Sequence, residues 1–334
     1  MIRFGIAGTG RISDWVLKGA GQEQRIQVTA VCSRTHEAAQ AFIERNPLAK
    51  GAAIYTSIAE MAADPQVDAV YIGTPNQTHC EYAVTCLNAG KHVLCEKPMA
   101  ISADEGRKMA EAARTNGCLL MEAMISTLNP NFISVASRLN EIAPICHYSS
   151  YYCQYSTKYE ALKRGEVASS FKPGTGGALR DIGVYTLYPA VALFGRPSSI
   201  RADLKTIRTD EGISDVQGTA HLDYGHMDMT LTWSKVYDSF QPTEIAGERG
   251  NLILDEIHIA RKAELVPHSA PTSGQGPKQG RTVISEGLES NEYYYEFREF
   301  ADLIENGIKE SSYNSLETSL IVLELIDEML QGIA

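Results

Sequence analysis

Near the start of the chain stands the sequence Arg3-Phe4-Gly5-Ile6-Ala7-Gly8-Thr9-Gly10-Arg11-Ile12-Ser13. Its first half predicts a buried strand over residues 3–7, and the pattern that follows predicts a helix over residues 12–19. The first glycine permits a tight turn, the second lets the backbone approach a ligand, and the free amides that open the helix favour an anion. The alternative is a plain glycine-rich turn. In this strand–loop–helix context, Gly-x-Gly-x-x-Ser predicts a loop that binds the pyrophosphate of a dinucleotide through Gly8, Thr9, Gly10, Arg11 and Ile12.

Short β-branched runs alternate with longer helical patterns through residues 1–122. The predicted strands are Arg3 to Ala7, Gln27 to Cys32, Ala53 to Tyr55, Asp68 to Ile72, His92 to Cys95 and Cys118 to Met121. The predicted helices between them cover residues 12–19, 37–45, 57–63, 80–88 and 104–115. Such alternation is typical of a parallel sheet covered by helices on both faces. We therefore predict an N-terminal α/β domain of the Rossmann type.

The pattern changes after residue 122. Strand-like alternation, mostly without helices between the strands, predicts a large, mainly antiparallel open sheet from residues 147–154, 200–206, 216–223, 228–233 and 252–255. Residues 223–226 predict a hairpin turn, residues 178–193 a helix, and two apolar stripes a pair of closing helices. The expected second domain, residues 123–334, is thus α+β. Within it, the Pro-, Gly- and Ser-rich stretch Ser269 to Gly280 is expected to be a mobile loop.

The end of the second strand indicates which dinucleotide binds. An acidic residue there would bind the ribose hydroxyl of NAD, whereas this chain has Cys32-Ser33-Arg34-Thr35-His36. A serine hydroxyl and a guanidinium suit the 2′-phosphate of NADP. The alternative is that Ser33 and Thr35 compete to cap the next helix while Arg34 lies in solvent. We favour Ser33 and Arg34 as ligands of NADP, with NAD as the less favoured cofactor.

Two further motifs stand in the two halves of the chain. The first is Gly73-Thr74-Pro75-Asn76-Gln77-Thr78-His79, followed after a helix by Gly90-Lys91-His92-Val93-Leu94-Cys95-Glu96-Lys97-Pro98, and the second is Gly176-Gly177-Ala178-Leu179-Arg180-Asp181-Ile182-Gly183-Val184-Tyr185. Together they resemble the motifs of the glucose-fructose oxidoreductase, inositol dehydrogenase and rhizopine catabolism (Gfo/Idh/MocA) family. This resemblance implies an NAD(P)-dependent oxidoreductase that transfers a hydride to or from a hydroxyl or carbonyl carbon of a small sugar, polyol or cyclic diol.

The resemblance gives Lys97 a central role. Lys97 lies at the carboxyl end of the fifth predicted strand, where open parallel sheets bind ligands, and its ammonium can polarise a substrate oxygen or exchange a proton. In related enzymes the Lys-Pro bond at this position is often cis. Further cofactor contacts are expected from Thr74, Pro75, Asn76, His79, Glu96, Lys97 itself and Met124. For His79, a role as a helix cap is an equal alternative.

Asp181 and Tyr185 are four residues apart, so in a helix they share one face and can meet one substrate. Many family members carry histidine where this chain has Tyr185, and a tyrosine resembles the glucose-fructose oxidoreductase and dimeric dihydrodiol dehydrogenase branches. Two mechanisms stay open. Either the Tyr185 hydroxyl exchanges the proton with help from Lys97, or Lys97 exchanges it and Tyr185 orients the substrate. Asp181 is expected to fix the hydroxyl groups of the substrate.

The composition argues against several function classes. With 30 Lys and Arg against 41 Asp and Glu, the formal charge is −11, which does not favour nucleic acid or an anionic membrane as a partner. Seven cysteines without a Cys-x-x-Cys pair predict reduced thiols and no metal site. The N-terminus does not resemble a leader, and no apolar run is long enough for a membrane helix, so we expect a cytoplasmic protein.

The family resemblance also implies a homodimer or homotetramer that forms through the C-terminal sheet. Two rival functions stay open. One is a non-catalytic, NADP-sensing regulatory protein of the same fold, although Lys97, Asp181 and Tyr185 are all present in this chain. The other is an enzyme that uses a tightly bound dinucleotide for transient oxidation of its substrate.

Overall fold

The computed structural model describes residues 1–268 and 280–333, which form two compact units. The first unit comprises Met1–Ile125 and Glu289–Glu324, and the second comprises Ser126–Leu288 and the end of the chain from Leu325. The expected mobile loop over residues 269–280 lies outside the described residues, apart from its last residue.

A parallel sheet of six strands forms the centre of the first unit. Its elements are β1 (Ile2–Ala7), α1 (Arg11–Ala20), β2 (Ile26–Cys32), α2 (His36–Arg45), β3 (Ala53–Tyr55), α3 (Ile58–Ala63), β4 (Ala69–Ile72), α4 (His79–Asn88), β5 (His92–Glu96), α5 (Ala103–Asn116) and β6 (Leu120–Ala123), with short 3-10 turns at Pro47–Ala49 and Asn76–Thr78. The strand order is β3-β2-β1-β4-β5-β6, and all neighbouring pairs are parallel. The chain changes direction across the sheet at β1 and β4, and sheets of this kind bind ligands beyond the carboxyl ends of such strands. The predicted Rossmann-type domain is confirmed.

Local sequence explains where these elements begin and end. All four residues of β4 are buried, as expected for a central parallel strand. The Thr35 hydroxyl accepts a hydrogen bond from Ala38 N and caps α2, and Ser102 caps α5 in the same way. Gly117 ends α5 with φ 62°, in the left-handed region that glycine adopts readily.

Two helices follow the second sheet in sequence, α11 (Tyr294–Glu305) and α12 (Leu316–Leu330). All of α11 and most of α12 nonetheless belong to the first unit. The ring of Phe4 in β1 packs on the rings of Phe297 and Phe300, at 5.5 Å between centroids in each pair. The division predicted at residue 122 therefore differs from the structure, because the apolar stripe of α11 completes the core of the N-terminal domain.

The second unit contains a sheet of eight strands in the order β14-β13-β12-β11-β7-β10-β9-β8. These strands are β7 (Ile145–Cys153), β8 (Ser199–Thr209), β9 (Gly212–Asp223), β10 (Asp228–Ser234), β11 (Thr243–Gly247), β12 (Gly250–Leu254), β13 (Ala263–Pro267) and β14 (Thr282–Val283). All neighbouring pairs are antiparallel except β7 and β10. The predicted open sheet and the hairpin between β9 and β10 are confirmed. Sequence analysis missed β11, β13 and β14, which are short.

The helices of this unit are mostly short: α6 (Ile125–Leu128, which starts in the first unit), α7 (Pro130–Ser137), α8 (Leu139–Ile142), α9 (Tyr159–Lys163) and α10 (Val184–Phe194), with 3-10 turns at Ser169–Phe171 and Gln331–Ile333. The helix predicted over residues 178–193 begins with a π-helical turn, Leu179–Gly183, that leads into α10. Asp181 lies in the π-helical turn, a local geometry that is frequent at functional sites. Among the helices of the described residues, none is both long enough and apolar enough to span a bilayer.

Candidate active site

The loop between β1 and α1 has the geometry that its two glycines predict. Gly8 has φ +102°, and a Cβ there would lie 2.5 Å from the carbonyl oxygen of Gly73. A Cβ on Gly10 would meet no atom within 4 Å, and the Gly10 N–H has no acceptor within the described part of the chain. Ser13 is fully buried. The loop therefore presents an unused donor beside open space, which suits a phosphate oxygen.

At the end of β2, Ser33 and Thr35 have different hydrogen-bond partners. Thr35 caps α2, whereas the Ser33 hydroxyl lies 3.0 Å from the Thr9 hydroxyl of the glycine loop. Arg34 is exposed and makes no hydrogen bond or ion pair with any other described residue. Ser33 is thus tied to the phosphate loop, and the Arg34 guanidinium is available to a ligand.

Arg45, at the end of α2, is a second arginine near this loop that sequence analysis missed. Its Nε lies 3.0 Å from Asp14 Oδ1, and its Nη2 donates a 2.7 Å hydrogen bond to the Thr9 carbonyl oxygen. Because a trans peptide unit directs its C=O and N–H oppositely, this bond aims the Gly10 N–H away from Arg45. No local pattern links Arg45 to the loop, which lies 36 residues earlier.

Lys97 directly follows β5 at the carboxyl edge of the sheet, and its bond to Pro98 is cis, as the family resemblance implies. The imidazole of His79 is fully buried, with Nδ1 3.0 Å from the Pro98 carbonyl oxygen and Nε2 2.9 Å from the Thr74 carbonyl oxygen. Burial lowers the pKa of His79. His79 therefore supports the segment that carries Lys97, and its contact to the cofactor stays a prediction.

The carboxyl group of Glu96 accepts two hydrogen bonds from residues of the first unit. Its Oε1 accepts a 2.8 Å hydrogen bond from the Tyr71 hydroxyl, and its Oε2 accepts one of 3.3 Å from Lys97 N. Burial raises the pKa of Glu96, and the positive charge of Lys97 opposes that effect. Burial and the neighbouring Glu96 carboxyl hold the pKa of Glu296 in α11 well above its usual range. Glu96 is thus part of a buried acidic cluster, and its contact to the cofactor stays a prediction.

The other predicted cofactor residues lie at the same edge of the sheet. Thr74, Pro75 and Asn76 follow β4, and the Thr78 hydroxyl donates a 2.7 Å hydrogen bond to that of Thr74. Met124 follows β6 and is buried; its carbonyl oxygen accepts a 3.0 Å hydrogen bond from the amide of Asn314. The fold therefore brings these segments to the carboxyl ends of the strands, and their contacts to a cofactor stay predictions.

In the second unit, Asp181 is paired with a residue that sequence analysis missed. The Nζ of Lys235 lies 2.5 Å from Asp181 Oδ2, 3.1 Å from the Ser170 carbonyl oxygen and 4.1 Å from the centre of the Phe171 ring. The Lys235 side chain is only 5% exposed, whereas that of Asp181 is 35% exposed. Asp181 therefore bears a negative charge that a buried ammonium holds in place.

The π-helical turn that carries Asp181 is fixed at its start by Asp215. Asp215 Oδ2 accepts a 2.6 Å hydrogen bond from Leu179 N, and burial raises the pKa of Asp215 to about 6. Gly177 has φ +100°, and a Cβ there would lie 1.8 Å from Asp215 Oδ1. The absence of a side chain at Gly177 thus leaves room for this carboxyl group.

Tyr185 lies in a cluster of aromatic rings that includes two residues missed by sequence analysis. Its ring meets that of Tyr152 edge-on at 5.4 Å, and the ring of His258 stacks on Tyr152 at 4.3 Å. Burial lowers the pKa of His258 to about 4, so the imidazole is neutral at pH 7. The cluster gives the Tyr185 ring a defined orientation and offers an apolar surface that suits the C–H faces of a ring-shaped substrate.

No group of three or more His, Cys, Asp or Glu side chains that could hold a metal ion occurs among residues 1–268 and 280–333. All seven cysteines are free thiols. Burial raises the pKa of Cys32 to about 11 and that of Cys86 to about 12, so these two thiols are unreactive core residues.

Comparison with known proteins places both units in one family. Residues 2–124 match the model of an oxidoreductase family with an NAD-binding Rossmann fold, and residues 140–253 match the GFO/IDH/MocA C-terminal domain. The chain is 38% identical over 329 residues to the scyllo-inositol 2-dehydrogenase (NADP(+)) IolU of Bacillus subtilis, which covers 98% of this chain and 96% of that protein. It is 28% identical to the trans-1,2-dihydrobenzene-1,2-diol dehydrogenase of Danio rerio, with 98% and 95% of the two chains covered.

A solved structure gives the same result. The open conformation of KijD10, a 3-ketoreductase from Actinomadura kijaniata in complex with TDP-benzene and NADP, superposes with a TM-score of 0.80 at 26% identity, covering 99% of this chain and 97% of that one. The family models match more than half of the chain, and the likeness to IolU extends over nearly all of it. The chain therefore belongs to the Gfo/Idh/MocA family of oxidoreductases.

Proposed function

We propose that this chain is an NADP-dependent dehydrogenase or reductase that acts on a CH–OH group of a small sugar, polyol or cyclic diol. The observation that carries the proposal is the likeness along the whole chain to an NADP-dependent inositol dehydrogenase. A relative named for a dihydrobenzene diol and a solved structure named as a 3-ketoreductase widen the proposed substrate class to other cyclic diols and to the corresponding ketones. The aromatic cluster around Tyr185 agrees with a substrate of that shape.

The residues of the first unit fit NADP. The pyrophosphate would lie at Gly8–Ile12, where the Gly10 N–H has no acceptor among the described residues. The 2′-phosphate would be held by Ser33 and by the exposed guanidinium of Arg34, which requires no acidic residue at the end of β2. When bound, this cofactor supplies or accepts the hydride.

The side chains of this protein would then handle the proton of the substrate oxygen. Lys97 and Tyr185 are the two candidates, and the two mechanisms distinguished above both assign them this task. The Asp181 carboxylate, which lies against the Lys235 ammonium, would accept hydrogen bonds from the substrate hydroxyls. Glu96 and His79 would keep the Lys97–Pro98 segment in place from inside the first unit.

A substrate panel tests the proposal. Purified protein mixed with NADP and inositols, other polyols, aldoses and cyclic diols should produce absorbance of the reduced cofactor with at least one class. Lys97→Met should lower kcat by roughly 10²- to 10⁴-fold while NADP still binds. Lys108→Met, which removes an exposed lysine of the same unit, is the matched control and should leave both quantities unchanged. Wild-type kcat in Lys97→Met would contradict the role of this residue.

The same panel separates the rival functions. Tight NADP binding without turnover of any substrate would favour a regulatory protein. Nucleotide that stays bound through purification would favour an enzyme that oxidises its substrate transiently.

We further propose a cytoplasmic homodimer or homotetramer that forms through the eight-stranded sheet. One face of this sheet carries polar residues that are only half-buried within the unit, among them Ser149 and Tyr151 of β7 and Thr230 and Thr232 of β10. A mass measured by light scattering after size exclusion tests the oligomer. Replacing Thr232 with a charged residue on this face should shift the mass towards that of a monomer.

A further inference from the structure

Lys235 is the most deeply buried ammonium near the residues assigned to the substrate. It follows β10, its side chain is 5% exposed, and its contacts include Asp181, the Ser170 carbonyl and the Phe171 ring. Burying an ammonium is unfavourable unless it is well paired. Its carbonyl and ring contacts therefore fix Lys235 in a position where it meets Asp181.

The pair is asymmetric in its exposure. Lys235 is enclosed, whereas Asp181 is 35% exposed and so reaches the surface of the unit. One carboxylate oxygen, Oδ2, accepts from the ammonium. A carboxylate that accepts a hydrogen bond from a buried ammonium on one side keeps its charge and its orientation. An acceptor of hydrogen bonds from an alcohol requires these two properties.

Two further charged groups lie near the pair, Arg180 and Asp215. Arg180, the residue before Asp181, has its guanidinium 4.0 Å from Asp327. Asp215 is a second buried carboxyl group near the pair, and the charge of Lys235 acts on it too. Without Lys235, the carboxyl groups of Asp181 and Asp215 would have less positive charge near them.

We propose that Lys235 is a positioning residue, which holds the Asp181 carboxylate oriented to accept hydrogen bonds from the hydroxyl groups of the substrate. This inference rests on the proposed function. Lys235 acts through Asp181 and does not touch the reacting atoms.

Four proteins test the inference: the wild type, Lys235→Met, Asp181→Asn and the double variant. A charge-assisted hydrogen bond to a substrate hydroxyl corresponds to about a 10- to 100-fold effect, so each single variant should raise the KM of the best polyol by that factor with a smaller change in kcat. The double variant should be no worse than the more impaired single variant, because both changes remove the same interaction. The Kd for NADP should stay at its wild-type value throughout.

Two further variants separate positioning from general structure. Lys235→Arg keeps a positive charge and should restore most of the wild-type KM. Lys158→Met removes an exposed lysine at the start of α9, outside the sheet, and should change neither KM nor kcat. A wild-type KM in folded Lys235→Met would overturn the inference. A KM increase in the double variant that equals the product of the two single increases would overturn it as well. If Lys235→Met does not fold, Lys235→Arg decides: an arginine variant that matches the KM of Asp181→Asn overturns the proposal.

Thermal melts keep the inference testable if no substrate is found. Lys235→Met leaves the Asp181 charge uncompensated, so adding Asp181→Asn to it should raise the Tm. A double variant that melts below Lys235→Met would show that the two groups are not paired. Absence of turnover by the wild type would count against the proposed function alone.

Discussion

Substitution of Arg34 by methionine offers a direct measurement of how the protein chooses between NADP and NAD. In the structure Arg34 is exposed and has no hydrogen-bond or ion-pair partner among the described residues, so its removal breaks no such bond within the protein. Its whole effect should appear in binding. Methionine keeps much of the apolar length of the side chain and removes the charge.

The size of the effect follows from the number of bonds that a guanidinium can make. Hydrogen bonds to a charged group contribute about 1.5–3 kcal/mol each, and exposure to solvent reduces this contribution. For one phosphate held by an exposed, forked guanidinium we expect a net loss of about 2 kcal/mol, or roughly 30-fold in the Kd for NADP. NAD lacks the 2′-phosphate, so its Kd should change by less than about twofold.

Fluorescence titration with both cofactors provides the assay, and Arg45→Met provides the contrast. Arg45 holds the Thr9 carbonyl and neutralises Asp14, which lies in the first turn of α1. Loss of the Arg45 side chain should raise the Kd values for NADP and NAD by similar factors, because the pyrophosphate is common to both cofactors. An unchanged Kd for NADP in Arg34→Met, or an equal loss for the two cofactors, would refute the assignment of Arg34.

Two predictions concern the turn that carries Asp181. Gly177→Ala should lower the Tm by several degrees more than Gly174→Ala. Both glycines have positive φ, but only a Cβ on Gly177 would collide with Asp215. An equal decrease in Tm for the two variants would contradict the steric argument. Burial raises the folded-state pKa of Asp215 from 3.8 to about 6, so its ionisation makes the fold less stable as pH rises through this range. Asp215→Asn keeps an acceptor for Leu179 N and should therefore stabilise the protein by at most about 3 kcal/mol at pH 8 and by little at pH 4. Thermal melts at the two pH values measure this difference, and a variant that is less stable than the wild type at pH 8 would contradict the prediction.

Much of the first unit could be predicted because short stretches of sequence determine its strands, helices and turns. Runs of buried β-branched residues, helix periodicity and glycines at turns gave six strands and five helices in the right order. The phosphate loop and the Lys97–Pro98 segment follow strands, so the parallel topology brings them to one edge without further information. The role of Thr35 as a cap was also weighed from sequence, and the structure selects it.

The remaining features depend on contacts between distant parts of the chain. Arg45 and Lys235 are 36 and 54 residues from their partners Thr9 and Asp181, and nothing in their local sequence marks them. The packing of α11 on Phe4 likewise joins the two ends of the chain. β14 has only two residues, too few for a periodic pattern to predict a strand.

These long-range contacts also explain how a chain with a formal charge of −11 can offer a site to an anionic cofactor. The free amide of Gly10 and the positive end of α1 favour a phosphate, but Asp14 in the first turn of that helix opposes it. Arg45 lies against that carboxylate and opposes its repulsion of a phosphate, while Arg34 has no acidic partner among the described residues. We therefore expect the affinity for a phosphate to depend on which arginines near the loop are already paired, and the net charge of the protein to have little influence because salt screens distant charges.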